Sequence, residues 1–396
     1  FAHLVSIFVV AMNRVYILIC FLMLAATAVG KVIVGADRED VWVPALEGKR
    51  VALLSNHTGL LSSGEHVADA MLRRGINVVT LMSPEHGFRG DADAGEHVRG
   101  TVDRATGLPV VSLYGGSASL DDVIKNVDVA VVDLQDVGLR FYTYYITMLK
   151  VMNVAAKYNK EVVVFDRPNP NGMTVDGPVL DMSLKSGVGA LPIPVLHGMT
   201  MGELAQMIVG ENWLADSGYV HLQVVPCEGY THATRYELPV PPSPNLKNMQ
   251  AVWLYASTCL FEGTVMSLGR GTDMPFCVYG HPAMRGGNYD FTPRSMAGAK
   301  NPPLLGKLCH GVDLSKENPD SVIAHGLNLH YVIDAYNRMP RKYGFFTPFF
   351  DKLIGTRSVR RMIEQGRTPE QIRSTWTDDV ARFRKLREPY LLYPES

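Results

Sequence analysis

Short apolar runs alternate with helix-like stretches between residues 50 and 169, and this alternation constrains the fold more than any other feature. The runs are continuously apolar, which is typical of strands that are buried on both faces. They occupy residues 51–55, 76–82, 110–113, 127–134 and 161–165. Strands that alternate with helices predict an α/β fold, a Rossmann-like parallel sheet with helices on both faces.

Residues 1–30 have the pattern of a secretory signal peptide preceded by an upstream extension. The stretch 15–28 is almost unbroken apolar, Arg14 places a positive charge before it, and Ala26-Thr27-Ala28 is a small-x-small cleavage motif. The run is too short for a comfortable membrane span. We therefore expect an exported protein, periplasmic or secreted, that contacts a membrane only through this leader before cleavage.

The second half of the sequence predicts a different architecture. Residues 172–194 are rich in Gly and Pro, and we interpret them as a segment that crosses between two lobes. Thr200 and Glu203 form a capping box that begins a helix, and residues 219–225 alternate like a strand. The expected parts are the leader and extension in residues 1–30, a Rossmann-like catalytic domain in residues 31–195, and a second α+β domain with a helical C-terminus in residues 196–396, which closes the cleft.

Composition excludes some classes of protein. The chain has 396 residues, a formal net charge of −1 and 19% charged residues, so it lacks the basic surface that nucleic-acid binding needs. Four cysteines follow the leader without any CxxC pair, which argues against zinc ribbons and thioredoxin chemistry. We interpret them as buried, unpaired thiols, with disulfides as the alternative; they are Cys227, Cys259, Cys277 and Cys309.

Cofactor motifs are absent from the sequence. No GxGxxG follows the first strand, no GxxxxGK[ST] occurs, and residues 115–119 are not a GxSxG elbow. The sequence therefore predicts a protein without a cofactor. An alternative metal site can be drawn from His57, His86, Asp91 and His97, but their spacing is irregular and HExxH does not occur.

Polar side chains follow every predicted strand of the first half. Since parallel strands end at one edge of a sheet, these side chains should converge on a pocket there. They are Asn56, His57, Glu85, His86, Tyr114, Asp133, Gln135, Asp136, Arg140, Asp166, Arg167 and Asn169.

Glu85 is the candidate catalytic carboxyl group. It lies in the stretch Ser83-Pro84-Glu85-His86-Gly87, where Pro84 forbids further helix or sheet ladder and Gly87 permits a tight turn. A carboxylate and an imidazole are thus carried at the carboxyl end of a strand. The plain alternative is a solvated loop glutamate.

Two charged residues of the second half also qualify for a site. Glu262 lies at the end of a predicted helix over residues 247–260, where Gly263 suits a left-handed cap. Arg270 lies between two glycines, on backbone that can approach a ligand closely, and its guanidinium suits a carboxylate or a phosphate. The alternatives are a solvated helix-end carboxylate and an exposed loop arginine.

Several motifs, taken in this order, resemble one family over essentially the whole chain after the leader. They are SPEHG at 83–87, DLQDVG at 133–138 with RFYTY at 140–144, DRPNP at 166–170, HGMT at 197–200, PSPN at 242–245 (Pro242-Ser243-Pro244-Asn245), FEGT at 261–264 and GRGT at 269–272. The sequence is similar to the exo-β-N-acetylmuramidases, glycoside hydrolases of peptidoglycan turnover. The resemblance implies an exo-acting enzyme that releases N-acetylmuramic acid from the non-reducing end of cell-wall fragments, with its site between a Rossmann-like domain and a second lobe.

The resemblance also implies roles for the candidate residues. The glutamate of the SPEHG motif, Glu85, is the family's proposed catalytic residue, and glycoside cleavage normally needs a second carboxyl group. Glu262 and Asp136 are our candidates for it, with Asp133 and Asp166 also eligible. Retention, inversion and nucleophilic participation of the substrate's own acetamido group all stay open.

The remaining candidates are expected to bind a muramyl saccharide derived from peptidoglycan. An arginine would pair with the lactyl carboxylate of the sugar, although Arg140 and Arg167 can instead bridge to nearby Asp136 and Asp166. The substrate-binding candidates are Asn56, His57, His86, Arg89, Tyr114, Gln135, Arg140, Tyr142, Asp166, Arg167, Asn169, Asn245 and Arg270. Two other functions stay open, a non-catalytic binding protein for cell-wall fragments and a metal-dependent hydrolase of another bond.

Overall fold

The computed structural model describes residues 31–84, 88–89, 101–113, 118–215 and 218–396. A seven-stranded sheet forms the centre of the first lobe. Its strands are β1 (Arg50–Ser55), β2 (Asn77–Ser83), β3 (Thr101–Val102), β4 (Pro109–Ser112), β5 (Val129–Asp133), β6 (Glu161–Phe165) and β7 (His221–Val225). Their order is β3-β4-β2-β1-β5-β6-β7, and only the edge pairing of β3 with β4 is antiparallel.

This strand order confirms the predicted Rossmann-like sheet. The chain moves outward from β1 to β2 and β4 on one side and to β5, β6 and β7 on the other. The order reverses between β1 and β5, and open α/β sheets bind ligands at the carboxyl ends of the strands beside such a switch point. The loops that follow β1 and β5 are therefore where we expect a ligand to bind.

Both faces of the sheet are covered, which explains why its strands are continuously apolar. Val51 and Leu53 of β1 pack into one core together with α1 (Glu39–Leu46) and α2 (Val67–Arg73). Ala52 and Leu54 point to the other core. That core contains side chains from α3 (Ala118–Lys125), α4 (Tyr144–Lys157) and α5 (Met201–Gly210).

The capping box predicted at the start of α5 is present. Thr200 Oγ1 accepts a hydrogen bond from the Glu203 backbone N–H at 3.3 Å, and the Glu203 carboxylate accepts one from the Thr200 N–H at 2.8 Å. These contacts satisfy two donors that a helix start would otherwise leave unpaired.

The large sheet extends past the predicted domain boundary at residue 195. β7 pairs with β6 in parallel, and α5 packs against both strands. The crossing segment rich in Gly and Pro folds back on the first lobe, because Leu196, which follows it, forms isolated bridges with Leu139 after β5 and with Asp176. The first lobe thus includes residues that the sequence assigned to the second, since local composition does not reveal which sheet a strand joins.

The second lobe combines helices with a small antiparallel sheet. α6 (Met249–Thr258) continues into a 3₁₀ turn, Cys259–Gly263. The sheet has the order β8-β10-β9, from β8 (Val278–His281), β9 (Tyr289–Phe291) and β10 (Cys309–Asp313). The helical C-terminus contains α7 (Pro319–His325), α8 (His330–Arg338), α9 (Pro348–Ile354), α10 (Ser358–Glu364), α11 (Pro369–Arg373) and α12 (Thr377–Arg387).

Gly263 does not adopt the left-handed cap predicted from the sequence, since its φ is not positive. Its reason for being glycine is close packing. A Cβ added to Gly263 would lie 2.3 Å from the Phe350 Cα atom, closer than non-bonded carbon atoms approach. The 3₁₀ turn that carries Glu262 is therefore pressed directly against the backbone of α9.

The C-terminal segment after α12 returns to the carboxyl end of β6. Tyr393 donates its hydroxyl hydrogen to Asp166 Oδ2 at 2.6 Å, and the same hydroxyl oxygen accepts from the Cys227 N–H at 2.9 Å. The Leu392 N–H donates to the Glu203 carboxylate at 2.8 Å. The end of the chain thus ties α12 to the first lobe through two buried carboxyl groups.

The four cysteines that the structure describes are buried and unpaired, as predicted. Within the described ranges, no helix combines the length and the apolar character that crossing a membrane would need.

We predict that Gly263→Ala lowers the free energy of unfolding by about 1–3 kcal/mol, because the new methyl group must displace backbone of α9. Chemical denaturation of the purified protein measures this change. Gly187→Ala is the matched control, since a Cβ there meets nothing within 4 Å and its φ is not positive. Equal stability of the two variants would contradict the packing argument.

We predict that Tyr393→Phe destabilises the protein by about 1–3 kcal/mol, because it removes one of the buried donors to Asp166 and the acceptor of the Cys227 N–H. Tyr390→Phe serves as the control. Its hydroxyl donates to Glu211 at 2.8 Å at a less buried position of the same segment, so its loss should cost less than about 0.5 kcal/mol. Thermal melts of both variants test the difference, and a reversed order would refute it.

Candidate functional site

A cavity of about 170 Å³ lies between the loop that precedes α4 and the second lobe. Hydrophobic and aromatic walls with a few convergent polar groups are typical of ligand sites. The lining residues are Phe141, Tyr142, Thr143, Tyr144, Val188, Ser243, Asn245, Leu246, Tyr255, Glu262, Arg270 and Phe276. Four of the predicted site residues, Tyr142, Asn245, Glu262 and Arg270, therefore come together here.

An ion pair between Glu262 and Arg270 supplies the charges of this cavity. Arg270 Nε and Nη2 both donate to Glu262 Oε1, at 2.8 and 2.6 Å. About a quarter of each side chain is exposed, 25% for Glu262 and 24% for Arg270. A guanidinium in such a partly dry pocket suits a carboxylate ligand, which it can bind through two parallel hydrogen bonds.

Phe276 is a member of this cavity that sequence reasoning missed. Its ring lies 5.0 Å from the Arg270 guanidinium carbon, a cation–π contact that holds the arginine in place. Its φ is +64°, a conformation that is strained for a bulky residue and that clusters at functional sites. Tyr255 was missed too, because an aromatic side chain inside a helix is more typical of a core.

Tyr142 and Asn245 are held in fixed orientations by the second lobe. Tyr142 donates its hydroxyl hydrogen to the Pro242 carbonyl at 2.8 Å. Asn245 Nδ2 donates to the Gly298 carbonyl at 2.8 Å, so its amide cannot turn freely. The loop over residues 239–244 is thus tied to the first lobe beside the cavity.

The loops after β1 and β5 are joined to each other at the switch point. Asn56 Oδ1 accepts from the Thr58 N–H at 2.9 Å and from Thr58 Oγ1 at 2.6 Å, and Thr58 Oγ1 accepts from the Gln135 N–H at 3.2 Å. His57 Nε2 donates to the Pro241 carbonyl at 2.8 Å. Asn56, His57 and Gln135 therefore lie together at the predicted edge.

Asp136 is almost entirely buried at the same edge, with 7% of the residue exposed. Its Oδ1 accepts from the Gly138 N–H at 2.7 Å, whereas Oδ2 finds no hydrogen-bond partner in the described part of the chain. Burial raises the pKa of Asp136 to about 7. A carboxyl group with such a pKa can hold or release a proton near neutral pH.

Arg140 is placed away from any ligand surface. It is fully buried, and its guanidinium donates to the carbonyls of Pro178, Ile193 and Leu353 at 2.7 to 3.0 Å. Burial lowers the pKa of Arg140 to about 10. Its contacts join the two lobes, so the structure gives it a structural role and not the predicted contact with substrate or with Asp136.

Arg167 and Asp166 also have structural partners. Arg167 binds Asp133 through Nε and Nη2 at 2.6 and 2.9 Å, and not Asp166 as the alternative in the sequence analysis proposed. Asp166 is fully buried, accepts from Thr200 and Tyr393 at 2.6 Å each, and its burial raises its pKa to about 6. Neither side chain is open to a ligand.

Asn169 and Arg89 are occupied in the same way. Asn169 Nδ2 donates to the Met199 carbonyl at 3.0 Å, and its Oδ1 accepts from the Asn171 N–H at 2.8 Å. Arg89 pairs with Asp69 and Asp103, and its hydrogen bond to Asp103 lowers the pKa of that carboxyl group to about 2. Both residues stabilise the loops around the edge.

Three predicted site residues, Glu85, His86 and Tyr114, lie outside the described residues. The same holds for three of the four residues in the alternative metal site, His86, Asp91 and His97. In the parts of the chain that are described, no group of three His, Cys, Asp or Glu side chains is arranged to hold a metal ion.

A larger cavity, of about 700 Å³, lies between residues 178–192 and α12. None of the predicted site residues lines it. We assign the candidate site to the smaller cavity and the neighbouring sheet edge, because predicted site residues lie at both, and His57 and Tyr142 link them through the adjacent carbonyls of Pro241 and Pro242.

Two protein-family models match the sequence, one in each half. The family model described as "Exo-beta-N-acetylmuramidase NamZ, N-terminal" matches residues 51–250, and the one described as "Exo-beta-N-acetylmuramidase NamZ, C-terminal" matches residues 253–393. The first of these matches includes β7, in agreement with the extent of the large sheet.

Individual proteins match over nearly the same length. The peptidoglycan beta-N-acetylmuramidase NamZ of Bacillus subtilis (strain 168) is 36% identical over an alignment of 367 residues that covers 88% of each chain. Two crystal structures of DUF1343 family proteins from Bacteroides fragilis NCTC 9343 are also similar. One has 52% identity and a TM-score of 0.87 over 93% of this chain and 100% of that one, and the other has 29% identity and a TM-score of 0.72 over 92% and 99%. The chain thus belongs to the exo-beta-N-acetylmuramidase NamZ family.

Proposed function

We propose that this protein is an exo-acting glycoside hydrolase that releases N-acetylmuramic acid from the non-reducing end of peptidoglycan fragments. The observation that carries the proposal is the match to the peptidoglycan beta-N-acetylmuramidase of B. subtilis, which spans both lobes and therefore both walls of the candidate site. No observation favours a non-catalytic binding protein or a metal-dependent hydrolase.

Glu85 is our candidate for the acid that protonates the leaving oxygen. In the sequence, Glu85 comes two residues after Ser83, which is the last residue of β2, and β2 lies beside β1. Cleavage of a glycoside then needs a carboxylate, or a nucleophile of the substrate itself, near the anomeric carbon.

Glu262 and Asp136 remain the candidates for the second carboxyl group. Glu262 lines the cavity and is paired with Arg270, whereas Asp136 is buried at the switch point. These environments differ strongly, and such a difference is how one site assigns acid and base roles to chemically similar groups.

Arg270 is our candidate for recognition of the lactyl carboxylate. It is the arginine of the predicted set that lines the cavity, while Arg140 and Arg167 are buried by other partners. Both of its hydrogen bonds to Glu262 use one oxygen of that carboxylate. A substrate carboxylate would bind the guanidinium as a second anion.

We also propose that the mature enzyme works outside the cytoplasm, in the periplasm or after secretion. The support is the apolar leader over residues 15–28 with its small-x-small cleavage motif. The proposed substrate, peptidoglycan, lies in the same compartment.

We predict that Glu85→Gln lowers the release of N-acetylmuramic acid by about 10²- to 10⁴-fold, because glutamine cannot donate a proton to the leaving oxygen. Release from a chromogenic N-acetylmuramic acid glycoside measures the loss. The matched control is Glu65→Gln, which changes another Glu-His pair whose carboxylate binds Arg73 at 2.9 Å on the surface, and it should keep full activity. A folded Glu85→Gln variant with normal turnover would end the proposal for this residue.

We predict that Arg270→Lys reduces the preference for the N-acetylmuramic acid glycoside over its N-acetylglucosamine counterpart by about 10- to 100-fold. A lysine keeps the charge but cannot make two parallel hydrogen bonds to the lactyl carboxylate. The ratio of kcat/KM for the two substrates is the measurement.

Arg235→Lys is the control for this experiment. Arg235 also pairs with a carboxylate, that of Asp320, and also stacks on an aromatic ring, that of Trp253, but it does not line the cavity. Its substitution should leave the preference unchanged. An equal loss on both substrates in Arg270→Lys would show that the arginine does not recognise the lactyl group.

A further inference from the structure

Four buried polar atoms that have no hydrogen-bond partner among the described residues lie at the carboxyl ends of three neighbouring strands. They are Asn56 Nδ2, His57 Nδ1, Ser83 Oγ and Asp136 Oδ2, which we call the edge cluster. Asn56, Ser83 and Asp136 are 0%, 1% and 7% exposed. Buried polar groups are almost always paired, so each exception calls for an explanation, such as an absent ligand or an absent water molecule.

Strand pairing brings these residues close together. Leu54 of β1 pairs with Met82 of β2, so Ser55 and Ser83 are neighbours at the strand ends. Ser55 also pairs with Asp133 of β5, three residues before Asp136. Adjacent strands lie about 4.8 Å apart, and the bridge from Asn56 through Thr58 to Gln135 joins the two loops directly.

Existing hydrogen bonds decide what two of the free atoms can do. The Thr58 N–H can only donate, so the Asn56 atom that it contacts is the oxygen, and the free atom is the Nδ2 donor. The Pro241 carbonyl can only accept, so His57 Nε2 carries the proton and the free Nδ1 is an acceptor.

The other two atoms complete the set. Asp136 Oδ1 is occupied by the Gly138 N–H, which leaves Oδ2 as an acceptor. The Ser83 hydroxyl can donate or accept. The edge cluster thus offers both donors and acceptors at neighbouring strand ends, where they are shielded from bulk water.

We propose that the edge cluster is the subsite for the acetamido group of N-acetylmuramic acid, with Asn56 Nδ2 donating to the acetamido carbonyl and Asp136 Oδ2 accepting from its N–H. The inference rests on the proposed function and adds a role for Asp136 other than that of second catalytic carboxyl group. Ser83 and His57 flank the amide.

An amide fits this cluster better than the other polar groups of the sugar. It carries one strong acceptor and one donor, and its burial requires a partner for each. The lactyl carboxylate offers only acceptors and is repelled by the carboxylate of Asp136. Sugar hydroxyls can keep their hydrogen bonds to water and do not need a shielded subsite.

The test compares two uncharged substituents, an acetamido group and a hydroxyl group, at the same position of the sugar. Chromogenic glycosides are prepared from N-acetylmuramic acid and from an analogue in which a hydroxyl group replaces the acetamido group. We expect the unsubstituted protein to prefer the acetamido substrate in kcat/KM by about 100-fold or more. Asn56→Ala and Asp136→Asn should each reduce this ratio about tenfold or more, because each removes one partner of the amide.

The choice of variants makes the comparison specific. In Asp136→Asn the Gly138 N–H retains the side-chain oxygen, so the new NH₂ group faces the N–H of the ligand, donor against donor. Asn171→Ala is the control, since Asn171 is a buried asparagine at the same edge whose Nδ2 donates to the Val137 carbonyl at 2.8 Å. It should leave the ratio unchanged even if it lowers stability.

A binding experiment tests the subsite without using the Asn56 and Asp136 variants, so its result does not depend on whether those variants fold. Calorimetry with the Glu85→Gln protein compares free N-acetylmuramic acid with 3-O-lactylglucose, and we expect at least tenfold tighter binding of the acetamido sugar. Equal affinities, or an unchanged kcat/KM ratio in folded Asn56→Ala and Asp136→Asn, would overturn the subsite and assign the free atoms to buried water. Failure of the unsubstituted protein to release either sugar would instead refute the proposed function, and the subsite with it.

Discussion

The parallel pairing of β1 with β2 on one side and β5 on the other is the constraint on which the site depends. Because Ser55 lies beside Asp133 and next to Ser83, three loops distant in sequence begin within one or two strand spacings of each other. The strand order reverses between β1 and β5, so the two halves of the sheet diverge from this point. Open α/β sheets bind their ligands at such switch points.

Backbone carbonyls of a proline-rich segment complete the site by accepting hydrogen bonds from side chains of the first lobe. The segment over residues 239–244 contains four prolines, which cannot donate the hydrogen bonds of a sheet or helix. The carbonyls of Pro241 and Pro242 accept instead from His57 and Tyr142 of the first lobe. Pro241 and Pro242 are adjacent in the chain, so this seam links the edge cluster, through His57, with the cavity that Tyr142, Glu262 and Arg270 line.

The charged residues of the motifs fall into two groups, which differ in how deeply their side chains are buried. Arg140 and Asp166 are fully buried, and Arg167 is 3% exposed, so each needs several hydrogen bonds inside the protein. They find these in carbonyls, in Asp133 and in the C-terminal tyrosine Tyr393, and they thereby fix the loops around the site. Arg270 and Glu262 are a quarter exposed, so solvent reaches them in the cavity.

The sequence by itself determined the parallel sheet of the first lobe and the sheet edge at which its candidate residues gather. Continuous apolar strands that alternate with helices specify a parallel sheet, and a parallel sheet brings the residues after its strands to one edge, so Asn56, Gln135 and Asp136 could be placed together in advance. Only the tertiary structure decided which of these side chains are taken up by contacts within the protein. Residue 263 must be glycine because the backbone of α9 packs against it. Arg140 donates its hydrogen bonds to carbonyls that are 38 to 213 residues away in the sequence. Phe276, whose backbone is strained, contacts the guanidinium of Arg270. These outcomes depend on contacts between segments remote in the chain, which no local pattern of residue types encodes.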